Sequence, residues 1–200
     1  MKEQDLDVMD LLDKSFEQLK EALKNNGDRF CVPYNGSHYR ISEQEIKCCF
    51  IETFINDAPK GYLYSVETPT IEKYRFSEKG KQVIPRKDPN GRRGNIDVVI
   101  FRGNNDDENR VAIIEFKANF VDNSKYAKDF CKLKEEPGDI SRVFVELFII
   151  NDGTEKNRLK DKLLHNNKGA IARNTFFVGY GLNLSSVDES IKITKEDLQR

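Results

Sequence analysis

Apolar residues recur at spacings of three and four at Leu6, Met9, Leu12, Phe16, Leu19 and Leu23. This pattern predicts an amphipathic helix over residues 4–25 that Asn25-Asn26-Gly27 stops. Its stripe reads as a packing face, with a dimer contact as the other use open to it. A second helix opens at Ser42, where Ser42-Glu43-Gln44-Glu45 has the form of a capping box. It carries Ile46, Cys49, Phe50 and Phe54 on one side and ends near Asn56-Asp57-Ala58-Pro59. Gly61 to Val66 then reads as a strand that Thr68-Pro69 interrupts, with Ile71 to Phe76 as a second strand or hairpin arm. Residues 77–95 read as a polar loop rich in Gly and Pro. Two strands follow, 96–101 and 110–117, joined most simply as a hairpin through Gly103 to Asp107. A helix is expected from about Asn123 to Glu135, a strongly apolar strand from Val143 to Ile150, a helix over 154–167 and a last strand from Thr175 to Tyr180. From Ser185 the chain is polar with weak signals.

These elements predict an α/β fold in which helices flank a mixed central sheet. The expected division is an N-terminal helix over 1–28 that packs on or extends the core, a main domain over 29–184 and a polar tail over 185–200. The apolar share is 38% with 13 Phe, enough for a substantial core. The charged share is 34%, yet the net charge is only −1, so a nucleic-acid case must rest on local patches. The chain starts Met-Lys-Glu-Gln-Asp without an apolar segment, and no apolar run has membrane-spanning length, so a soluble cytoplasmic protein is expected. Cys31, Cys48, Cys49 and Cys131 form no Cys-x-x-Cys pair, and His38 and His165 are far apart, which argues against structural zinc and for reduced thiols.

Candidate chemistry lies in Ile96-Asp97-Val98-Val99-Ile100-Phe101 and Val111-Ala112-Ile113-Ile114-Glu115-Phe116-Lys117. Alternate strand residues share a face, so Glu115 and Lys117 point the same way, roughly 6–7 Å apart. Antiparallel pairing brings the start of the first strand beside the end of the second, and Asp97 beside Glu115. Two such carboxylates repel and raise one pKa. A hard divalent cation relieves that repulsion, and Lys117 is placed to orient or hold an activated water. The other reading is a structural ion pair at a sheet end.

Ile96-Asp97, a gap, and Glu115-Phe116-Lys117 resemble the signature of the PD-(D/E)XK nuclease superfamily, the restriction-endonuclease-like fold. The resemblance covers roughly Ser42 to Tyr180 and implies an α-β-β-β-α-β core, here with an extra N-terminal helix. It implies Asp97 and Glu115 as metal-binding carboxylates, the Phe116 backbone carbonyl as a further ligand and Lys117 as the catalytic lysine. The first-helix acid of that family falls on Glu45 or Glu52, which share a helix face. For Glu45, capping competes with metal binding. Ile96 stands where the signature has proline. The activity implied is magnesium- or manganese-dependent hydrolysis of nucleic acid, with DNA as the expected substrate. An inactive nuclease-fold protein that binds nucleic acid or another protein is the alternative, and an interaction protein dimerising through residues 4–25 is a third.

Lys81, Arg86, Lys87, Arg92 and Arg93 lie in the loop that leads into the Asp97 strand, close enough to contact backbone phosphates. The bland alternative is a solvated loop. In the family named above, the helix after the signature often supplies a polar residue near the metal or phosphate. Lys125 and Lys132 share a face of that helix, with a solvated face as the favoured reading. The stretch from Lys156 through Arg158, Lys160 and Lys162 to Lys168 and Arg173 reads as solvated too. Tyr34, Tyr39, Tyr62, Tyr64 and Tyr74 are better read as packing residues than as base-stacking ones. Glu67 is an extra acid near the sheet with no assigned role.

Overall fold

A computed structural model of the chain describes residues 5–30, 32–34, 38–78, 81–104, 106–151, 153–165 and 175–199. The helix α1 (Val8–Phe30) is followed by a short hairpin, β1 (Val32–Tyr34) and β2 (His38–Arg40), and by α2 (Glu43–Asp57). Then come β3 (Tyr62–Glu78), β4 (Lys81–Lys87), β5 (Arg92–Arg102) and β6 (Arg110–Ala118). The helix α3 (Asn123–Glu135) leads to β7 (Ser141–Ile149), α4 (Glu155–Lys160), β8 (Thr175–Leu182), β9 (Ile191–Thr194) and α5 (Lys195–Gln199). Seven strands form one sheet in the order β4-β3-β5-β6-β7-β8-β9. The sheet is mixed. The pairs β3/β4, β3/β5, β5/β6 and β8/β9 are antiparallel, whereas β6/β7 and β7/β8 are parallel. The expected α/β class with helices flanking a mixed sheet is what the structure shows.

Strand alternation sorts β6 between two cores. Ala112, Ile114 and Phe116 join Leu12, Leu19 and Phe50 of α1 and α2 on one face. Ile113 joins Tyr126, Phe130 and Leu133 of α3 on the other, with Phe144, Phe148 and Phe177. Glu115 and Lys117 follow Ile113 and so face α3. The stripe of α1 is spent within the chain: Leu12, Phe16, Leu19 and Leu23 are buried, and Phe16 stacks on Tyr180 at 4.5 Å.

Three expectations change. The helix α1 runs past Gly27 to Phe30. The polar loop over 77–95 contains the edge strand β4 and the start of β5. Its Pro85 and its charges hid the strand, yet both are common on sheet edges, where they discourage pairing with another chain. Gly91 makes the return possible, because a Cβ there would lie 2.2 Å from the Tyr74 carbonyl oxygen. The strand β3 also continues through Pro69 for 17 residues in all. Its register slips between Pro69 and Lys73. There the buried Glu136 carboxylate accepts the Ile71 and Glu72 amides at 2.9 and 3.2 Å and the Tyr74 hydroxyl at 2.8 Å. A carboxylate from the end of α3 thus satisfies amides that the slip leaves without strand partners. Within residues 185–200, β9 and α5 bury Ile193 and Leu198.

The thiols of Cys49 and Cys131 are each pushed up to about 11, chiefly by burial, which suits unreactive cysteines. Among the described residues, no helix is long and apolar enough to cross a membrane.

Candidate active site

Asp97 and Glu115 meet as the hairpin predicts. The β5–β6 ladder runs through Val99↔Ile113 and Val98↔Ile114, and its next step sets Asp97 against Glu115. Asp97 Oδ2 accepts the Phe116 amide at 2.7 Å, which ties the carboxylate to the strand that carries the other acid. On its far side, Asp97 stands opposite Glu67, between the pairs Val66↔Val98 and Thr68↔Ile96.

Two helices complete the cluster. From α3, Asp129 takes Lys117 Nζ on Oδ2 and Lys132 Nζ on Oδ1, each at 2.8 Å. Lys132 also lies 2.5 Å from Glu115 Oε1 and donates to the Asn95 carbonyl at 2.6 Å. Lys117 donates to the Phe116 carbonyl at 2.8 Å. From α2, Glu43 Oε2 lies 3.8 Å from Lys117. Lys47 lies one turn further on, 3.1 Å from Glu67 and 3.7 Å from Asp97. Five carboxylates (Glu43, Glu67, Asp97, Glu115, Asp129) therefore face three ammonium groups (Lys47, Lys117, Lys132).

Burial sets the electrostatics. Glu115 is 1% exposed, and desolvation followed by the charge of Asp129 holds its pKa well above the usual carboxylate range. Burial works against the charged form of Lys117, but Asp129, Glu115 and Asp97 outweigh it and hold the amine above its ordinary pKa. Lys132 behaves alike, with Glu115 and Asp129 as the acids. Both lysines are therefore protonated at neutral pH. Glu43 is raised by its own partial burial, with Lys117 opposing.

The acid that α2 brings to the cluster is Glu43, in place of Glu45 or Glu52. Consecutive helix residues are rotated by about 100°, so Glu45 points away from the side shared by Glu43 and Lys47. Its Oε2 is buried without a hydrogen-bond partner. Ser42 does cap the helix, but through the Gln44 amide at 3.1 Å. Glu52 accepts from Gln18 of α1 at 2.6 Å, far from the cluster in role. Lys132, read from sequence as a solvated lysine, is buried in the cluster. Lys125 is exposed on the same helix. Glu67 gains a partner in Lys47.

The backbone turns sharply after β6. Asn119 and Phe120 have φ of 60° and 52°, a left-handed pair that costs energy for non-glycine residues. Asn119 is held by its amide on the Leu147 carbonyl at 2.9 Å and by its side chain on the Ile41 carbonyl. The Phe120 amide donates to Glu146 Oε1 at 2.9 Å, and Tyr126 donates to Glu146 Oε2 at 2.6 Å. Glu146 pairs with Lys117 across the β6–β7 ladder. Burial pushes its carboxyl up to about 7, against the pull of Tyr126 and Phe120. Folding thus favours the neutral form, and this residue's contribution to stability declines as pH rises from about 4 to about 7, levelling above that. Glu146→Gln should remove a loss of about 3 kcal/mol over that range. Urea unfolding of both proteins at pH 5 and pH 8 measures it; an unchanged difference between the two pH values refutes the assignment.

The basic residues of the former loop lie on strands. Arg86 faces Arg75 across β4–β3, and Lys73 faces Arg93 across β3–β5. Like charges placed directly opposite destabilise a sheet. Arg75 is offset by Asp88, and Lys87 by Glu72 at 2.6 Å. Arg86, Arg92 and Arg93 are exposed, whereas the side chain of Lys81 lies outside the described residues. Arg158 and Lys162 cover the rings of Phe120 and Tyr126 at 5.9 and 5.2 Å. Tyr74 is buried, Tyr62 and Tyr64 are partly buried, and the side chains of Tyr34 and Tyr39, like Lys168 and Arg173, lie outside the described residues.

No protein-family model, no curated protein and no solved structure matches the chain.

The donor set is hard oxygen: two carboxylates and a backbone carbonyl, with an excess of negative charge around them. Among the described residues no three His, Cys, Asp or Glu side chains close on one point. Magnesium does not need three, since it commonly keeps several waters and takes one or two carboxylates. Asp97, Glu115 and the Phe116 carbonyl therefore fit such an ion in kind and number.

Proposed function

We propose that the chain is a metal-dependent phosphodiesterase that hydrolyses nucleic acid, with DNA as its substrate. The observation that carries this reading is the convergence of Asp97, Glu115 and Lys117 at one place on the sheet, enclosed by acids and lysines from α2 and α3. The run α2-β3-β5-β6-α3-β7, with β6 and β7 parallel, supports assignment to the restriction-endonuclease-like fold.

Asp97, Glu115 and the Phe116 carbonyl would hold the ion. Once bound, magnesium or manganese supplies Lewis-acid stabilisation of the charge that builds on the phosphate and lowers the pKa of a bound water. Lys117 contributes a fixed positive charge. Because its acids keep it protonated, it orients the attacking water and stabilises negative charge, and it does not accept the proton. Asp129 holds that ammonium in place, as a positioning residue. Arg86, Arg92 and Arg93 supply sequence-independent contacts to backbone phosphates, and a polyanion relieves the repulsion between the facing basic pairs. Lys125, exposed on α3, is a further phosphate contact.

Cleavage of supercoiled plasmid and of a structured RNA, with magnesium or with EDTA, tests the reading. Asp97→Ala should lower the magnesium-dependent rate by about 10²–10³-fold, the loss seen when one preorganised stabilising group is removed. Equal rates in wild type and variant would mean that a contaminant does the cutting. One observation favours a second reading: lysines already pair with Asp129 and Glu115 of the cluster. A non-catalytic nucleic-acid-binding module on this fold predicts salt-sensitive DNA binding with no metal-dependent cutting.

A further inference from the structure

Each group assigned above to the metal already has an internal partner: two are hydrogen-bonded, and Glu115, whose Oε1 has no hydrogen-bond partner, is held by an ion pair. Asp97 takes the Phe116 amide, the Phe116 carbonyl takes Lys117, and Glu115 takes Lys132. These partners differ in kind. The first two come from β6, the strand that carries Glu115 and Phe116, and tie the ligands of the two neighbouring strands together. Lys132 comes from a different element, α3, and, where Lys117 meets a neutral carbonyl, it sets its charge 2.5 Å from a carboxylate oxygen, Glu115 Oε1. Resting on the metal-site reading above, we propose that Lys132 is an internal counter-ion for Glu115, and that a divalent cation binds only by taking this carboxylate from the lysine.

The surroundings of Lys132 suit that exchange. A buried carboxylate with no counter-charge is costly, so the metal-free protein needs a cation beside Glu115. When Glu115 is handed over, Lys132 keeps Asp129 at 2.8 Å and the Asn95 carbonyl at 2.6 Å, so its ammonium is not stranded. Its stem has little room to retreat. A Cβ on Gly94 would lie 3.1 Å from Lys132 Cδ, and the helix is anchored by the buried Tyr126, Phe130 and Leu133. The lysine therefore stays close after the exchange and repels the incoming ion. The cost appears as weakened metal affinity, and the site fills only at higher magnesium than its carboxylates alone would need.

Calorimetric titration of the whole protein with manganese measures the effect without any substrate. Lys132→Met should bind manganese at least about tenfold more tightly than wild type, the lower end of what one competing charged contact to a ligand carries. Equal or weaker binding by the variant, with wild type binding normally, overturns the counter-ion role and leaves the metal site standing. Binding by neither protein overturns both. A measurement on the wild type covers the case in which the variant does not fold. The side-chain ¹⁵N resonance of Lys132, assigned through Lys132→Arg, should move as magnesium saturates the site. A Lys132 signal that stays still while that of Lys117 moves also overturns the proposal.

Discussion

Lys117→Ala is expected to lower magnesium-dependent cleavage by about 10²–10³-fold while leaving the affinity for uncut DNA within about threefold of wild type. The two effects separate because of where the lysine sits. The residue is 9% exposed, and its ammonium is held by Asp129 and by the Phe116 carbonyl, so it adds little to the hold on a long polyanion lying over the surface. On the proposed function, phosphate affinity would come instead from the exposed arginines, whose contribution would depend on salt and not on the cluster. A fixed charge beside the reacting phosphate acts mainly in the transition state, so its removal lowers the rate more than the binding. Lys117→Arg should not restore the rate. A planar guanidinium cannot occupy the position of a compact ammonium that touches Asp129 and a carbonyl at 2.8 Å. Because the acids around Lys117 raise its pKa, the rate should show no titration of this group between pH 7 and about 9. Initial rates at saturating magnesium, with fluorescence anisotropy on an uncleaved duplex, make the test. A variant within about threefold of wild type in rate would remove Lys117 from the reaction.

The pairing of Asp97 with Glu115 was legible because two apolar runs and a short polar turn leave little choice but a hairpin, and a hairpin fixes which residues face each other. The first-helix acid was not legible in the same way. Glu43, Glu45 and Glu52 all lie on one short helix, and the side that turns toward β6 is decided by how α2 packs against α1. Gln18 and Thr53 join those helices, and Glu52 follows them away from the cluster. A signal was present: Glu43 and Lys47 are four apart, an acid and a base on one helix side. Asp129 and Lys132 also left a trace. Asp129 interrupts the apolar series Tyr126, Phe130, Leu133, and a charge inside such a stripe must be buried with a partner. Lysine-rich surroundings made that helix look solvated. The edge strand β4 was hidden for the opposite reason, since its charges and Pro85 belong to an edge and not to a core.

Phe144→Ala should lower the free energy of unfolding by about 3–5 kcal/mol, the largest single loss of stability expected in this core. Phe144 is fully buried on β7 beneath α3. Its ring lies 4.6 Å from Phe130, 5.4 Å from Tyr126 and 6.2 Å from Phe177, so one side chain joins α3, the sheet centre and β8. A cavity there could not collapse easily, because Phe130 and Tyr126 are on a helix fixed at its far end. There Arg142 donates to the Glu136, Ile140 and Gly138 carbonyls. The loss should also reach the site. Asp129 and Lys132 are carried by the same helix and hold Lys117 and Glu115. A loosened α3 therefore weakens the positioning of the lysine and removes the counter-charge of Glu115 together. Urea unfolding should show a lower midpoint with an unchanged m-value, since the same surface is exposed on unfolding. A loss under about 1 kcal/mol would mean that α3 docks through contacts other than this aromatic group.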